Sequence, residues 1–263
     1  MDSKSAIITP NIICTCITRL KPGKDDGDLG FKSDHLINGG RRLHVVLSLL
    51  FNSMIIHGYT PDTLLKSTIV SIPKDYKASL SSSDNYRGIS LFNCICKLFD
   101  NVLLFLYKPQ LLSSEMQFGF KEKHSTSLCT LIFNEVVSHY LNNKGNVYSC
   151  LLDASKAFDL VHYGKLFRIL LSKDIPRCII RLILDSYIRQ TACVTWNSVK
   201  STYFNISNGV KQGGVISPIF FNLYLDPMLI ELRNSQIGCH INNVCIGALA
   251  YADDVTIVQT YEG

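Results

Sequence analysis

Paired cysteines, long apolar runs and dense clusters of positive charge are all missing from this chain of 263 residues. It has 10 cysteines, but none forms a C-x-x-C pair, so the sequence gives no support to a zinc ribbon. No apolar run reaches the ~18 residues that a membrane helix needs. The longest candidate, 45–56, contains Ser48, Asn52 and Ser53, so we predict no membrane span.

A secretory leader is not indicated either. Asp2 and Lys4 precede a short apolar run that Pro10 interrupts, which is unlike a signal peptide. Many of the cysteines lie in apolar segments, as buried free thiols do. We therefore expect an intracellular protein of the cytoplasm or nucleus, in a reducing setting, and not a secreted one.

The net charge is only mildly positive, at +5 with a pI of about 8.6. The densest basic pair is Arg41-Arg42, which is no polybasic tract. Such a charge is compatible with a polyanionic partner and does not require one. Nothing in the sequence indicates a protein partner.

The hydrophobic pattern alternates between helical and extended spacing, which predicts a mixed α+β fold with helices against an antiparallel sheet. Predicted helices cover 41–56, 95–107, 126–141, 176–189 and 217–233. Predicted strands cover 66–72, 86–91, 147–152, 192–196, 202–206, 237–246, 248–251 and 255–258. We expect Ser125 to cap the helix from 126 and Pro227 to kink or shorten the helix from 217. Residues 21–28 form a predicted loop, and residues 1–20 show no clear period.

Two adjacent acids, Asp253 and Asp254, lie between the apolar runs 248–251 and 255–258. The pattern predicts a hairpin with Ala252-Asp253-Asp254 as its turn. Apolar flanks predict a hairpin packed into a core, with its tip partly desolvated. Two carboxylates at such a short separation repel each other, and a hard cation between them would keep both ionised. The alternative is a plain surface turn, because Asp is common in turns.

Asp153 is a third acid of interest, because it ends the apolar strand 147–152, which should have a core on one side. If this strand and the hairpin are neighbours, three carboxylates cluster in a cleft and provide the oxygen ligands that Mg²⁺ or Mn²⁺ prefers. Two such ions can activate an attacking hydroxyl and stabilise a leaving oxygen in phosphoryl transfer. The alternative for a lone strand-end Asp is a cap or a turn.

Six ordered motifs resemble those of reverse transcriptases, and the closest group is the non-LTR (LINE-type) retrotransposon enzymes. Three segments resemble the palm motifs: Asp153–Asp159 (DASKAFD), Gly209–Pro218 (GVKQGGVISP) and Tyr251–Asp254 (YADD). The fingers motifs are resembled by 72–74 and 85–91, and the block after them by Gln117-Phe118-Gly119-Phe120 with Ser125-Thr126. The agreement in order and spacing runs from about Thr60 to the end of the chain.

The resemblance implies a right-hand polymerase with fingers and a palm built on a ferredoxin-like sheet. It implies an N-terminal helical extension over 1–56 and a reverse transcriptase domain over 57–263. Its substrates would be dNTPs, an RNA template and a DNA primer. Since nine residues follow Asp254, we expect the thumb to be absent. The alternative is a truncated, catalytically weak or inactive relic that only binds nucleic acid; an RNA polymerase of the same palm type and an unrelated α+β interaction domain also remain open.

The resemblance also implies the metal site. Asp153 and Asp253 would ligate two Mg²⁺ or Mn²⁺ ions, Asp254 would be the more peripheral acid, and the carbonyl of Ala154 would add an oxygen ligand. All three acids are carried over as catalytic residues.

Further residues are implied in nucleotide binding. Lys74 and Arg87 match positions that hold the incoming triphosphate, and Gln212 with Gly213 matches a loop that contacts nucleotide and template. Phe158 stands where the family places a steric gate against a 2′-hydroxyl. Outside these motifs Lys74 and Arg87 would be solvated charges, and Phe158 an ordinary core aromatic.

Overall fold

A computed structural model of the chain describes residues 7–24, 30–242 and 244–261, with no account of the Tyr261 side chain. The fold divides into two compact units, the first formed by Met1–Gln110 with His162–Ser217 and the second by Leu111–Val161 with Pro218–Gly263. Both sides of the predicted boundary at residue 56 fall in the first unit, and that boundary stays a prediction. Of the predicted loop 21–28, residues 25–28 lie outside the described residues.

The described residues form a mixture of helices and strands, as predicted. The helices are α1 (Pro10–Ile17), α2 (Ser33–Ile37), α3 (Gly40–His57), α4 (Asp62–Leu65), α5 (Cys94–Tyr107), α6 (Thr126–Asn142), α7 (Tyr163–Ser172), α8 (Arg177–Ile188) and α9 (Ser217–Asn234). The strands are β1 (Lys66–Pro73), β2 (Tyr86–Phe92), β3 (Asn146–Asp153), β4 (Thr191–Trp196), β5 (Val199–Lys200), β6 (Phe204–Asn205), β7 (Cys239–Ile241), β8 (Val244–Ile246), β9 (Ala248–Tyr251) and β10 (Asp254–Tyr261). The described helices include none that is both long enough and apolar enough to span a membrane.

The first unit contains a mixed sheet, where we had predicted antiparallel pairing alone. Its strand order is β2-β1-β4-β5, and β6 also pairs with β4. The β1–β2 hairpin is antiparallel as predicted, but β1 and β4 are parallel, with Lys66 opposite Thr191. Parallel neighbours need a long crossover, and here more than 100 residues separate the two strands. Periodicity within each segment carries no information about such a pairing.

The second unit contains a three-stranded antiparallel sheet in the order β3-β10-β9, and β7 pairs with β8 in a separate hairpin. Helix α6 packs Ile132, Phe133 and Val136 against a core that contains Cys239 and Val258. Leu131, although apolar, is 55% exposed because it lies one position outside this face.

Strand β3 is far more exposed than its apolar sequence predicts. Tyr148, Leu151 and Leu152 are 62%, 79% and 46% exposed. The expectation of a core beside this strand is therefore wrong for most of it, although Val147 does pack against the Val136 cluster. The physical reason is the position of β3 at the edge of its sheet, where β10 is its one strand neighbour among the described residues.

Helix ends follow local sequence chemistry closely. Ser125 caps α6, since its side chain accepts a hydrogen bond from the Leu128 N–H at 3.1 Å. Gly58 ends α3 in the left-handed conformation, with φ +60°. Helix α9 runs through Pro227 without interruption, so Pro227 does not shorten it, and the alternative of a kink stays a prediction. Helix α7 was not predicted, although Leu166, Phe167 and Leu170 are buried at helical spacing.

Candidate active site

The acidic hairpin forms as predicted, with β9 and β10 joined through Ala252 and Asp253. Ala248, Leu249 and Ala250 on β9 are buried, and so are Val255 and Val258 on β10. The strands therefore lie in a core. Ala252 has a φ of +58°, a conformation that two-residue hairpin turns usually give to glycine.

The third acid lies directly across the sheet from this hairpin. In the β3–β10 pairing Asp153 is opposite Asp254, and in the β9–β10 pairing Asp254 is opposite Tyr251. Asp253 immediately precedes Asp254 and is half-buried, whereas Asp153 and Asp254 are exposed. The tip is therefore only partly buried, and Asp253 is the less exposed of its two acids.

The electrostatic field at the three acids is negative. Partial burial raises the pKa of the Asp254 carboxyl above its ordinary value, and the charges of Asp253 and Asp153 raise it further. Mutual repulsion of this kind is what a bound cation relieves. The sequence alone does not reveal this repulsion, because Asp153 and Asp254 become neighbours only through strand pairing.

The donor chemistry of these acids fits a divalent metal, although the side chains do not form a closed ligand set. Across the described residues, no group of three or more His, Cys, Asp or Glu side chains is arranged closely enough to hold an ion. The carboxylates of Asp153, Asp253 and Asp254 and the carbonyl of Ala154 are hard oxygen donors, as Mg²⁺ and Mn²⁺ prefer. The strand register brings Asp153 opposite Asp254, next to Asp253.

A connector that the sequence left without a role runs beside the hairpin. The Ala250 N–H donates to the Met116 carbonyl at 2.9 Å, and the Phe118 N–H donates to the Ala250 carbonyl at 2.7 Å. Gln117, between them, is fully buried, and its side-chain amide pairs with the backbone of Ala252. The resemblance included Gln117 in a motif, but only the fold shows what it contacts.

Phe158 lies in an aromatic cluster of the second unit. Its ring stacks on Phe221 of α9, with centroids 4.4 Å apart and an interplanar angle of 10°. Phe120 meets it edge-on at 6.0 Å. Phe158 is half-buried, so the ring is held on one side and keeps an accessible surface.

The residues matched to triphosphate binding lie in the first unit, on the β1–β2 hairpin. Ile72 pairs with Arg87, and the Lys74 N–H donates to the Asn85 carbonyl at 2.7 Å. The side chains of Lys74 and Arg87 are both exposed. This arrangement places two cations at the same end of one hairpin.

Gln212 and Gly213 lie against the same hairpin. The Ser90 N–H donates to the Gln212 carbonyl at 2.8 Å. Gly213 has a φ of +105°, and a Cβ there would lie 2.6 Å from the Ser90 carbonyl oxygen. Glycine is therefore required by both conformation and close approach.

Within the first unit, the loop that precedes α9 is linked to α5 through the half-buried Asp100. Burial raises the pKa of the Asp100 carboxyl to about 6, although Lys211 and the N–H groups of Ile216 and Val215 act to lower it. Lys211 also lies 5.0 Å from the Phe92 ring centroid. The loop that carries Gln212 is thus anchored at its side chains as well as its backbone.

The second unit brings together Asp153, Ala154, Phe158, Asp253 and Asp254, while Lys74, Arg87, Gln212 and Gly213 share the first unit. A mixed α+β fold in which acids end neighbouring antiparallel strands is typical of the nucleic-acid polymerases. The family comparison agrees, since the model described as reverse transcriptase (RNA-dependent DNA polymerase) matches residues 72–262. The chain belongs to the reverse transcriptase family.

Curated relatives are proteins of mobile elements, which confirms the predicted resemblance to non-LTR retrotransposon enzymes. The Pol polyprotein of the type-2 retrotransposable element R2DM of Drosophila melanogaster is 26% identical over 81% of this chain and 20% of its own length. The RNA-directed DNA polymerase from mobile element jockey of Drosophila funebris is 29% identical over 92% of this chain and 26% of its own length. A probable RNA-directed DNA polymerase from transposon X-element of Drosophila melanogaster is 29% identical over 78% of this chain and 23% of its own length. The chain spans about a fifth to a quarter of these relatives.

Proposed function

We propose that this chain is the RNA-directed DNA polymerase region of a retrotransposon protein, extending a DNA primer on an RNA template with dNTPs. The observation that carries the proposal is the β3–β10 register, in which Asp153 lies opposite Asp254 and next to the turn that holds Asp253. Family membership supplies the substrate class. The first unit would act as fingers, and the sheet of the second unit as a palm.

Asp153, Asp253, Asp254 and the Ala154 carbonyl would hold two Mg²⁺ or Mn²⁺ ions. Such ions, when bound, activate the primer 3′-hydroxyl and stabilise the leaving pyrophosphate oxygen. The raised pKa of Asp254 supports this assignment, because the acids repel one another until a cation neutralises them. Asp153 and Asp253 are the principal ligands in this proposal, and Asp254 the peripheral one.

The remaining residues bind and orient the nucleotide. Lys74 and Arg87 would hold the triphosphate, and Arg87 can do so bidentately. Phe158 would lie under the sugar and exclude a 2′-hydroxyl, a role supported by the ring of Phe221 stacked behind it. Gln212 and Gly213 would present backbone to nucleotide and template, since Gly213 carries no side chain to block approach.

The test replaces one carboxylate with an uncharged amide of the same shape. Asp153→Asn should lower single-nucleotide extension of a DNA primer on an RNA template by at least about 100-fold, the scale on which one electrostatic stabiliser of a transition state acts. Glu135→Gln, the same loss of charge on an exposed position of α6, is the control and should keep the wild-type rate. Wild-type extension by Asp153→Asn would disprove the metal assignment. A wild-type chain that binds nucleic acid without extending the primer would favour the relic alternative.

A further inference from the structure

Gln117 is a fully buried polar side chain, with 0% of its surface exposed. Its Oε1 accepts hydrogen bonds from the N–H of Ala252 at 2.9 Å and from the N–H of Gly119 at 2.8 Å. Its Nε2 donates to the carbonyl oxygen of Ala252 at 3.1 Å. One side chain therefore pairs with both backbone polar groups of the residue that precedes Asp253.

Ala252 needs such a partner because of its conformation and burial. Its φ of +58° lies in the left-handed region, which disfavours every residue with a Cβ. It is only 7% exposed, so without Gln117 its N–H and carbonyl would have poor access to water. A strained residue persists where its surroundings hold it, and here Gln117 hydrogen-bonds both the N–H and the carbonyl of Ala252.

Gln117 lies on a connector that has hydrogen bonds of its own, so its position does not depend on the turn alone. Backbone bonds join Ala250 to Met116 and to Phe118 on either side of it. Asn222 of α9 donates through its side-chain amide to the Gly119 carbonyl at 2.8 Å. The connector is therefore hydrogen-bonded to both a strand and a helix.

We propose that Gln117 is a positioning residue for the acidic turn, fixing Ala252 so that Asp253 and Asp254 stay aligned with Asp153. This inference rests on the proposed metal-dependent function. Gln117 touches neither metal nor substrate in this role. It acts through Ala252. Its effect is on the affinity with which the three acids together bind a cation.

The experiment measures Mn²⁺ affinity by the electron paramagnetic resonance signal of free Mn²⁺, with no substrate present. Gln117→Leu removes all three hydrogen bonds at similar volume and should weaken Mn²⁺ binding by about 10- to 100-fold, as loss of a supporting contact behind a ligand does. Amide hydrogen exchange at Ala252 should accelerate in the same variant. Gln117→Asn, whose amide stops one methylene short, should show a smaller loss of both and serves if the leucine variant does not fold.

The matched control is Gln190→Leu. Gln190 is also buried, at 1% exposed, and its Nε2 donates to the Tyr163 hydroxyl at 2.5 Å in the first unit. Gln190→Leu removes a single side-chain hydrogen bond in the other unit, and this variant should keep wild-type Mn²⁺ affinity. An equal loss of Mn²⁺ affinity in Gln190→Leu and in the Gln117 variants would show a general effect of buried-amide loss and overturn the proposal.

Asp153→Asn separates the two proposals. If the wild type binds Mn²⁺ no better than Asp153→Asn, the proposed metal site itself fails. If Asp153→Asn loses Mn²⁺ binding while the folded Gln117 variants keep it, the metal site stands and the positioning role of Gln117 is wrong.

Discussion

Gly119→Ala would add a methyl group where the connector 116–120 comes closest to the acidic turn. A Cβ at Gly119 would lie 2.3 Å from the Ala252 nitrogen and 2.9 Å from its Cα. Ordinary van der Waals contact begins near 3.4 Å, so the two backbones must separate by about 1 Å. Neither atom belongs to a flexible side chain, and the strain therefore falls on the turn or on the connector.

The magnitude follows from two contributions. Overpacking of this kind costs about 1–3 kcal/mol, and each hydrogen bond between Gln117 and Ala252 that lengthens forfeits about 1 kcal/mol. We expect the free energy of unfolding to fall by about 2–4 kcal/mol. A misplacement of about 1 Å at reacting groups can lower a rate about 100-fold, and we expect a loss of primer extension on that scale.

Gly145→Ala is the matched control in the same unit. A Cβ there would meet only Tyr140, with its nearest atoms at 3.4 Å, which is ordinary contact. Urea denaturation should place this variant within about 1 kcal/mol of the wild type. If the two alanine variants have equal unfolding free energies and equal rates of single-nucleotide extension, the close-approach reasoning is refuted.

Two further predictions concern the gate and a buried acid. Phe158→Ala should lower the preference for dNTPs over rNTPs by roughly 10- to 100-fold, and an unchanged ratio in single-nucleotide incorporation would refute the gate. The folded-state pKa of Asp100 is raised from 3.8 to about 6, so its contribution to stability is complete below about pH 4 and is lost as the pH rises through 6. That loss amounts to up to about 3 kcal/mol, and urea titrations between pH 4 and 7 should show it in the wild type and not in Asp100→Asn.

Local chemistry made the hairpin and several helix ends predictable. Strand β9 has the predicted bounds 248–251, because small apolar residues lead directly into an acidic turn. Ser125 caps α6, and Gly58 ends α3, since each signal acts within a few residues of its effect. The motif order placed the three acids on this hairpin and on the strand that pairs with it.

Long-range pairing and exposure were not predictable in the same way. The parallel pairing of β1 with β4 and the edge position of β3 depend on which strands meet, which periodicity does not encode. Gln117 belongs to a motif that the resemblance identifies, but its contact could not be predicted, because its partner lies 135 positions later in the chain. Whether Phe158, Lys74 and Arg87 act as the resemblance implies stays a prediction.

The pairing of β3 with β10 also determines the stage of folding at which the acids come together. Asp153 and Asp254 are opposite each other in the sheet but 101 positions apart in the chain. Closing a loop of that length costs about 4 kcal/mol of chain entropy, and contacts of high sequence separation form slowly. During synthesis, Asp153 leaves the ribosome long before its partner strand exists, and Leu151 stays without β10 beside it for that whole interval. The cluster of three acids is therefore among the last of the described contacts to form, because it cannot assemble before β10 has been synthesised.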